Sequence, residues 1–523
     1  MSRLTSEQSR VVASNARLLA VDAFAGTGKT HTLVEFACAR QGARILYIAF
    51  NRSVANEAAE RFPRHVACKT THSLAFNVVG RNFRDKLGNA QPFEVAQALK
   101  CNHRRAKAVL DTVSAWHCST DPEIAVKHVD DGDVLDPQEA AVIADQARAV
   151  WEHMQSSRST IRMPHDGYLK LWAMSKPRLP YDIILLDEAQ DTNPLTLDLV
   201  LNQRHAQLVL VGDKHQGIYG FRKAMNAMEA VEATERVALT QSFRFGQPIA
   251  DIATILLQEM KEERHAVKGR DDIDVQWTID TSRPYAMIGR TNAGLFGAAA
   301  EVVLGERECR LHFVGGFDSY LFGKVLDAYY LWSDDRSRIK DSTVSRFASF
   351  EDFRKYGDEA QDAEVRALVK TVEQYRQQVP RIYNAMKAAE TPSQDRANIT
   401  LSTAHRAKGL EWDQVHLADD FIELPVEDDE DFDPEEVNLL YVAVSRAIRA
   451  VRLPASLMEW LRSVGWEPVG AQEAAKEDEA RPWHTEEGHE AWLRENHGRF
   501  GEAAQELAFL IRRLDEVRTL VHV

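Results

Sequence analysis

Two short runs carry the residues best suited to chemistry. The first is Ala23-Phe-Ala-Gly-Thr-Gly-Lys-Thr30, a Gly-rich turn ending in Lys-Thr. Gly26 and Gly28, on either side of Thr27, let the backbone close on phosphate oxygens. A helix opening near Lys29 would add N–H donors and the positive end of its dipole. In such a loop Lys29 reaches the β- and γ-phosphates of a nucleotide, and the Thr30 hydroxyl binds Mg²⁺. The strict motif begins with Gly where this chain has Ala23, so the pattern departs at one position. The second run is Ile183-Ile-Leu-Leu-Asp-Glu-Ala-Gln-Asp191, an apolar strand pattern ending in two adjacent carboxylates. Asp187 suits Mg²⁺, which takes few carboxylates and keeps part of its water shell. Glu188 suits the base that orients an attacking water. Alone, Asp-Glu after an apolar run is often only a capped strand end. Combined with the glycine loop it predicts an NTPase.

The elements needed to hold these runs are legible around them. Residues 17–23 (RLLAVDA) and 44–49 (RILYIA) read as strands, with helices from about Lys29 and over 53–62. Residues 181–186 and 207–211 resume the strand pattern after a polar, helical stretch. Strand–turn–helix repetition implies a parallel sheet covered by helices. A second such region begins near Val237, with strands expected at 285–288, 399–402, 415–417 and near 450–453. The expected organisation is α/β: a first sheet domain over 1–81 and 181–235 with a helical insertion at 82–180, then a second over 236–315 and 388–460 with a helical insertion at 316–387. A helical extension is expected over 461–523, where Phe500, Ala503, Ala504, Leu507, Leu510, Ile511 and Leu514 fall at helical spacing. That amphipathic helix would dock on the sheet domains or on a protein partner. The acidic run 427–436 (EDDEDFDPEE) reads as a solvated loop.

Composition excludes more than it identifies. A chain of 523 residues exceeds one hydrophobic core. No apolar run is long enough to span a membrane and the N-terminus lacks a secretory layout, so a cytoplasmic protein is expected. Five scattered cysteines without a CxxC pair suit thiols better than disulfides or zinc. The net charge of −15 argues against a uniformly basic nucleic-acid binder. A groove, however, needs only local positive charge and aromatic platforms.

Motif by motif, the chain resembles the UvrD/Rep/PcrA group of superfamily 1 helicases, and the likeness covers most of its length. Leu4-Thr-Ser-Glu-Gln8 resembles the group's Q-motif, DEAQD its second motif and Leu210–Arg222 (LVGDKHQGIYGFR) its third. Leu239–Arg244 (LTQSFR), Thr403–Glu411 (TAHRAKGLE) and Leu440–Arg446 (LYVAVSR) resemble the fourth, fifth and sixth. The resemblance implies two RecA-like domains with one ATP site between them, Mg²⁺ as cofactor and single-stranded DNA, or a junction of single and double strands, as partner. It implies that Gln8 reads the adenine edge, Phe243 lies near the adenine and Glu411 contacts ribose. Gln216 would sense the γ-phosphate, with Arg244 and Arg446 as arginine fingers. Such fingers stabilise charge on the transferring phosphoryl and make hydrolysis depend on domain closure. Phe50, His72, Phe221 and His405 are the candidates for DNA contact; Phe50 and Trp412 fit a core position as well, and His405 fits a structural histidine.

Within that group the runs AFAGTGKT, IAFNRSVANEA, CKTTHSLAF and HDGYLKLW resemble the F-box DNA helicases and their bacterial relatives. This implies a monomeric motor moving 3′ to 5′ on single-stranded DNA in repair, recombination or defence. The chain starts at the motor with no preceding F-box, so ubiquitin-ligase assembly is not expected. Translocation is a firmer expectation than duplex unwinding, because the insertions are short. Two other readings remain open: an ATP switch that binds DNA without moving, and the helicase subunit of a nuclease complex.

Overall fold

The computed structural model describes residues 4–130, 136–220, 225–305, 309–359, 363–425 and 433–467. The apolar run after Arg17 forms β1 (Leu18–Ala23). It shares a sheet with β2 (Ile45–Ile48), β3 (Val66–Lys69), β4 (Ile183–Leu186), β5 (Gln207–Gly212) and β6 (Glu235–Leu239), in the order β3-β2-β4-β5-β1-β6. All these pairings are parallel. Successive side chains point to opposite faces. Leu46, Ile48, Ile184, Leu186, Leu208 and Leu210 therefore enter one core, and Ile45, Tyr47, Ile183, Leu185, Val209 and Val211 the other. Burial on both faces is why these strands read as continuous apolar runs.

This order places the chemistry. β4, β5 and β1 are neighbours and run the same way, so their C-terminal ends lie side by side. Asp187 follows β4, Asp213 follows β5 and the glycine loop follows β1.

β6 corrects the expected division at residue 235. Glu235 to Leu239 pair with Leu19 to Ala23, and buried Val237 and Leu239 cover the outer edge of β1. A short parallel pair follows, β7 (Gln241–Gly246) with β8 (Lys268–Arg270). The second large sheet contains β9 (Tyr285–Gly289), β10 (Leu311–Phe313), β11 (Ile399–Thr403), β12 (Trp412–Leu417) and β13 (Ala447–Arg452), in the order β10-β11-β9-β12-β13 and again parallel.

Helices fill the stretch between β3 and β4. Those at His103–Cys118 and Pro137–Gln155 pack through Val109, Val113, Trp116, Ile143, Ala147 and Val150. Between β10 and β11, Phe322, Val372 and Ile382 from helices share a core with Leu311 and Leu401. The end of the acidic run departs from the expected loop. Asp433 caps the helix Pro434–Val444 through the Glu435 amide, and Glu436 accepts from Arg290 Nε at 2.7 Å. Carboxylates are favoured there by the helix dipole. The amphipathic run at 500–514 lies outside the described residues. Among the described residues no helix is long and apolar enough to cross a membrane.

Lys170, on the helix His165–Met174, is fully buried. Its Nζ donates to the carbonyls of Ser119 (2.6 Å) and Asp121 (2.8 Å) and lies 4.5 Å from the Trp116 ring. Burial pulls its pKa down to about 8. The ammonium serves carbonyls just past the end of the helix His103–Cys118; Asp121 O also accepts from Trp116 Nε1 at 3.0 Å, so Ser119 O is the acceptor that depends most on Lys170. Lys170→Met is expected to lower unfolding stability by about 2 kcal/mol, the cost of leaving the buried Ser119 carbonyl unpaired. Chemical denaturation measures this, and an unchanged midpoint would rule the role out.

Candidate functional site

The glycine loop is shaped by backbone that other residues adopt poorly. Gly26 and Gly28 both have φ of +75°. A Cβ on Gly26 would also fall 2.5 Å from Ser242 Oγ, because β7 rides over the loop and Phe243 N donates to Gly26 O at 2.8 Å. Thr27 is buried, its hydroxyl donating to Phe24 O. Lys29 and Thr30 open the helix Lys29–Cys38 behind it.

Gln8 closes a capping box with Thr5, where its Oε1 accepts from Thr5 N. Its Nε2 donates to Thr27 O at 3.4 Å. One amide hydrogen and one lone pair remain for a ligand. Phe243 is exposed beside Gly28.

The two carboxylates after β4 differ in setting. Asp187 accepts from Tyr47 Oη at 2.6 Å; burial and the adjacent Glu188 charge push its carboxyl up. Glu188 sits in left-handed backbone (φ 50°), a conformation that costs a non-glycine residue about 1–2 kcal/mol. It accepts from Lys29 Nζ at 3.0 Å and from Gln190 Nε2 at 2.5 Å. Burial opposes its ionisation, yet the Lys29 and Lys408 ammonium groups hold the carboxyl at about 2. It is therefore ionised near neutral pH, as a general base must be.

Residues from the second sheet and β7 meet this edge. Tyr441, on the helix Pro434–Val444, accepts from Ala25 N (2.9 Å) and donates to Asp213 Oδ2 (3.0 Å). Gln216 Nε2 also donates to Asp213 Oδ2, at 2.7 Å. Gln216 Oε1 faces Arg446 Nη2 at 3.5 Å. Arg446 is 1% exposed, and burial and the nearby Arg244 bring its pKa down to about 9. Arg244 donates to Glu411 (2.7 Å) and to Ser445 O (3.0 Å). In this arrangement each of the candidate finger arginines is held by its own chain, and Glu411 is held by Arg244.

Two of the four candidate DNA contacts, Phe50 and His72, fall on a second opening of the same edge. Phe50, 47% exposed and so not core, stacks on Tyr219 with centroids 6.0 Å apart. His72 pairs with Asp166 at 2.8 Å. A cavity of about 290 Å³ joins Phe50, His72 and Tyr219 to Asp187, Glu188 and Asp191. His405 lies 6.2 Å from the Tyr219 ring but lines a different cavity, with Arg290, Asn292 and Tyr320. Trp412 is buried in β12. Phe221 lies outside the described residues.

Three participants escaped the sequence reading. Lys408 donates to Asp191 and to Gln216 O and lies 5.1 Å from the Tyr219 ring. It thereby joins the second, third and fifth motifs; Asp191 is itself pushed up to about 6 by burial, against the pull of Lys408. Tyr441 bridges loop and Asp213. Tyr47 holds Asp187, and its hydroxyl in an otherwise aliphatic strand was the available signal, since a buried phenol needs a partner.

Comparison with known proteins agrees with this geometry. A family description, the UvrD/REP helicase N-terminal domain, matches residues 4–232, and another, the UvrD-like helicase C-terminal domain, matches 320–453. The chain is 33% identical over 509 residues to F-box DNA helicase 1 of Gallus gallus, covering 88% of this chain and 50% of that protein. It is 31% identical to F-box DNA helicase protein 1 of Schizosaccharomyces pombe, covering 85% and 56%. Identity to the ATP-dependent DNA helicase PcrA of Leuconostoc citreum is 25%, covering 50% and 39%. The chain thus spans about half the length of the curated relatives it matches first.

Proposed function

The chain belongs to the UvrD-like helicases, and on that basis we propose that it is an ATP-driven single-stranded DNA translocase or helicase. One observation carries the reading: a single cavity is lined by Glu188 and by the Phe50–Tyr219 stack. A base stacking on such rings gains about 1–3 kcal/mol and presses on Tyr219, which Lys408 links to Asp191 and Gln216. DNA occupancy and the hydrolytic residues are thereby coupled through contiguous contacts.

In this reading Gly26, Thr27, Gly28 and Lys29 cradle the phosphates of ATP, Gln8 and Phe243 take the adenine, and Glu411 takes the ribose. Thr30 and Asp187 are oxygen donors on the same sheet edge, a donor set that fits Mg²⁺, and would hold it; the ion neutralises phosphate charge there. Lys29 leaves Glu188 for the phosphates as ATP binds, and Glu188 then accepts a proton from the water that attacks the γ-phosphoryl as ADP leaves. Gln216, Arg244 and Arg446 meet the γ-phosphoryl as the two sheet domains close, Arg244 releasing Glu411 to do so. The domains are the two sheets with their helical insertions. Movement 3′ to 5′ and work on repair, recombination or defence intermediates are the finer parts of the proposal, and a monomer is the form proposed.

The test is ATP hydrolysis by the purified chain with and without single-stranded DNA, beside Phe50→Ala. Stimulation of at least about tenfold by DNA, weakened in Phe50→Ala by loss of one stacking contact, is the expected result. Hydrolysis indifferent to DNA would favour the ATP switch instead.

A further inference from the structure

Behind the glycine loop lies a buried carboxylate that the hydrolytic scheme above does not use. Glu263 follows the helix Gln247–Lys261 after a left-handed residue, Glu262, and is 6% exposed. Its Oε2 accepts from Lys214 Nζ at 2.6 Å and His215 Nε2 at 2.9 Å. Its Oε1 accepts from the amides of Arg264 and His265 and from His265 Nδ1, at 2.8–2.9 Å. A buried carboxylate is costly unless its lone pairs are met, and one with five donors is a rigid node.

The position of that node matters because of what it ties together. Lys214 and His215 belong to the short turn Lys214–Gln216, the turn that carries Gln216. The His215 ring stacks on Phe24 at the root of the glycine loop (5.9 Å) and meets Tyr441 edge-on (6.3 Å). Its Nδ1 is buried and without a partner, so orientation rests on the Nε2 bond to Glu263 and on ring packing. The helix Gln247–Lys261, in turn, packs against Pro434–Val444, the helix that leads into Arg446. Glu263 therefore fixes the turn bearing Gln216 relative to the helix that leads into Arg446, and the Gln216 and Arg446 side chains face each other at 3.5 Å.

We propose that Glu263, acting through His215, is a positioning residue that sets Gln216 opposite Arg446 and so governs the rate of ATP hydrolysis rather than the affinity for ATP. The inference rests on the ATPase reading of the site. Among the described residues no hydrogen bond or ion pair joins Glu263 to Lys29, Thr30 or the loop backbone; the node reaches the loop only through ring packing on Phe24, so ground-state binding is expected to change less than turnover. Misplacing a charge-sensing side chain by a fraction of an ångström acts on the transition state instead.

The experiment is steady-state ATP hydrolysis with saturating single-stranded DNA, each variant's rate normalised to its folded fraction by thermal denaturation. Glu263→Gln is expected to lower kcat about 10- to 100-fold with KM for ATP within about twofold, the signature of an interaction made only in the transition state. His215→Leu should match it, and His215→Gln, which keeps a donor toward Glu263, should recover most of the rate. The double variant His215→Leu/Glu263→Gln should lose no more than either single one, because the two act as a unit. A folded Glu263→Gln with unchanged kcat, or a fall in Tm with no change in kcat per folded molecule, would overturn the role. So would His215→Gln failing as badly as His215→Leu. A wild type that hydrolyses ATP beside such results overturns this inference alone, whereas a wild type inert toward ATP overturns it together with the proposed function.

Discussion

Glu188→Gln is expected to abolish most ATP turnover, a fall of about 10²- to 10⁴-fold, while ATP still binds. The substitution keeps the size of the side chain and removes only its negative charge and its capacity to take a proton. Glutamine occupies the left-handed backbone at this position at a cost similar to that of glutamate, so the fold should survive, with a modest fall in Tm for the lost attraction to Lys29 and Lys408. Lys29, now paired with the carboxylate at 3.0 Å, would lose an anionic competitor for the phosphates, so nucleotide affinity should hold or rise. Hydrolysis with and without single-stranded DNA gives the first number and binding of a fluorescent ATP analogue the second. Turnover within a few-fold of wild type would place the base elsewhere. Loss of binding together with turnover would mean that Glu188 shapes the pocket rather than the chemistry.

Arg446→Ala carries the other large effect. A finger arginine is worth about 10³- to 10⁵-fold in turnover, which corresponds to about 4–7 kcal/mol of transition-state stabilisation. Arg446 has the position for it, buried beside Gln216, and the charge for it, since a pKa of about 9 leaves it protonated near neutral pH. It also has structural work, donating to Val442 O and Leu410 O, so alanine alone would confound catalysis with stability. Arg446→Lys separates the two. It keeps the charge and one donor nitrogen but not the planar fork, so the variant should fold and still hydrolyse ATP slowly. Retained DNA binding, measured by anisotropy, would show the second site intact. If Arg446→Lys turned over ATP at near the wild-type rate, the guanidinium geometry would be irrelevant and the finger assignment would fail.

Much of this site was legible because its parts are local. The glycine loop announces itself through Gly26 and Gly28, whose positive φ no other residue type adopts as easily. DEAQD follows an apolar run, and a doubly covered parallel strand leaves that signature whatever it pairs with. Boundaries were less clear. β6 looked like the start of the second region because a strand's sequence does not say which edge it joins. The last acidic residues looked like loop because a run of like charges hides a helix start that needs one capping Asp433 and one partner, Arg290. Phe50 could not be assigned to core or platform until Tyr219, far along the chain, proved to stack on it.

The sequence by itself determined the chemical parts: a glycine loop ending in Lys-Thr, a pair of carboxylates, candidate arginines, and the parallel α/β architecture that presents them at strand ends. Only the tertiary structure decided how those parts act on one another. It showed Arg244 held by Glu411, Lys408 reaching Asp191 and Tyr219, and Glu263 gathering Lys214, His215 and His265. The reason is physical. A loop conformation is dictated by neighbours in sequence, through backbone sterics. A buried charge finds its partner across the fold, and a salt bridge between residues such as Asp191 and Lys408, 217 positions apart, leaves no local pattern to read.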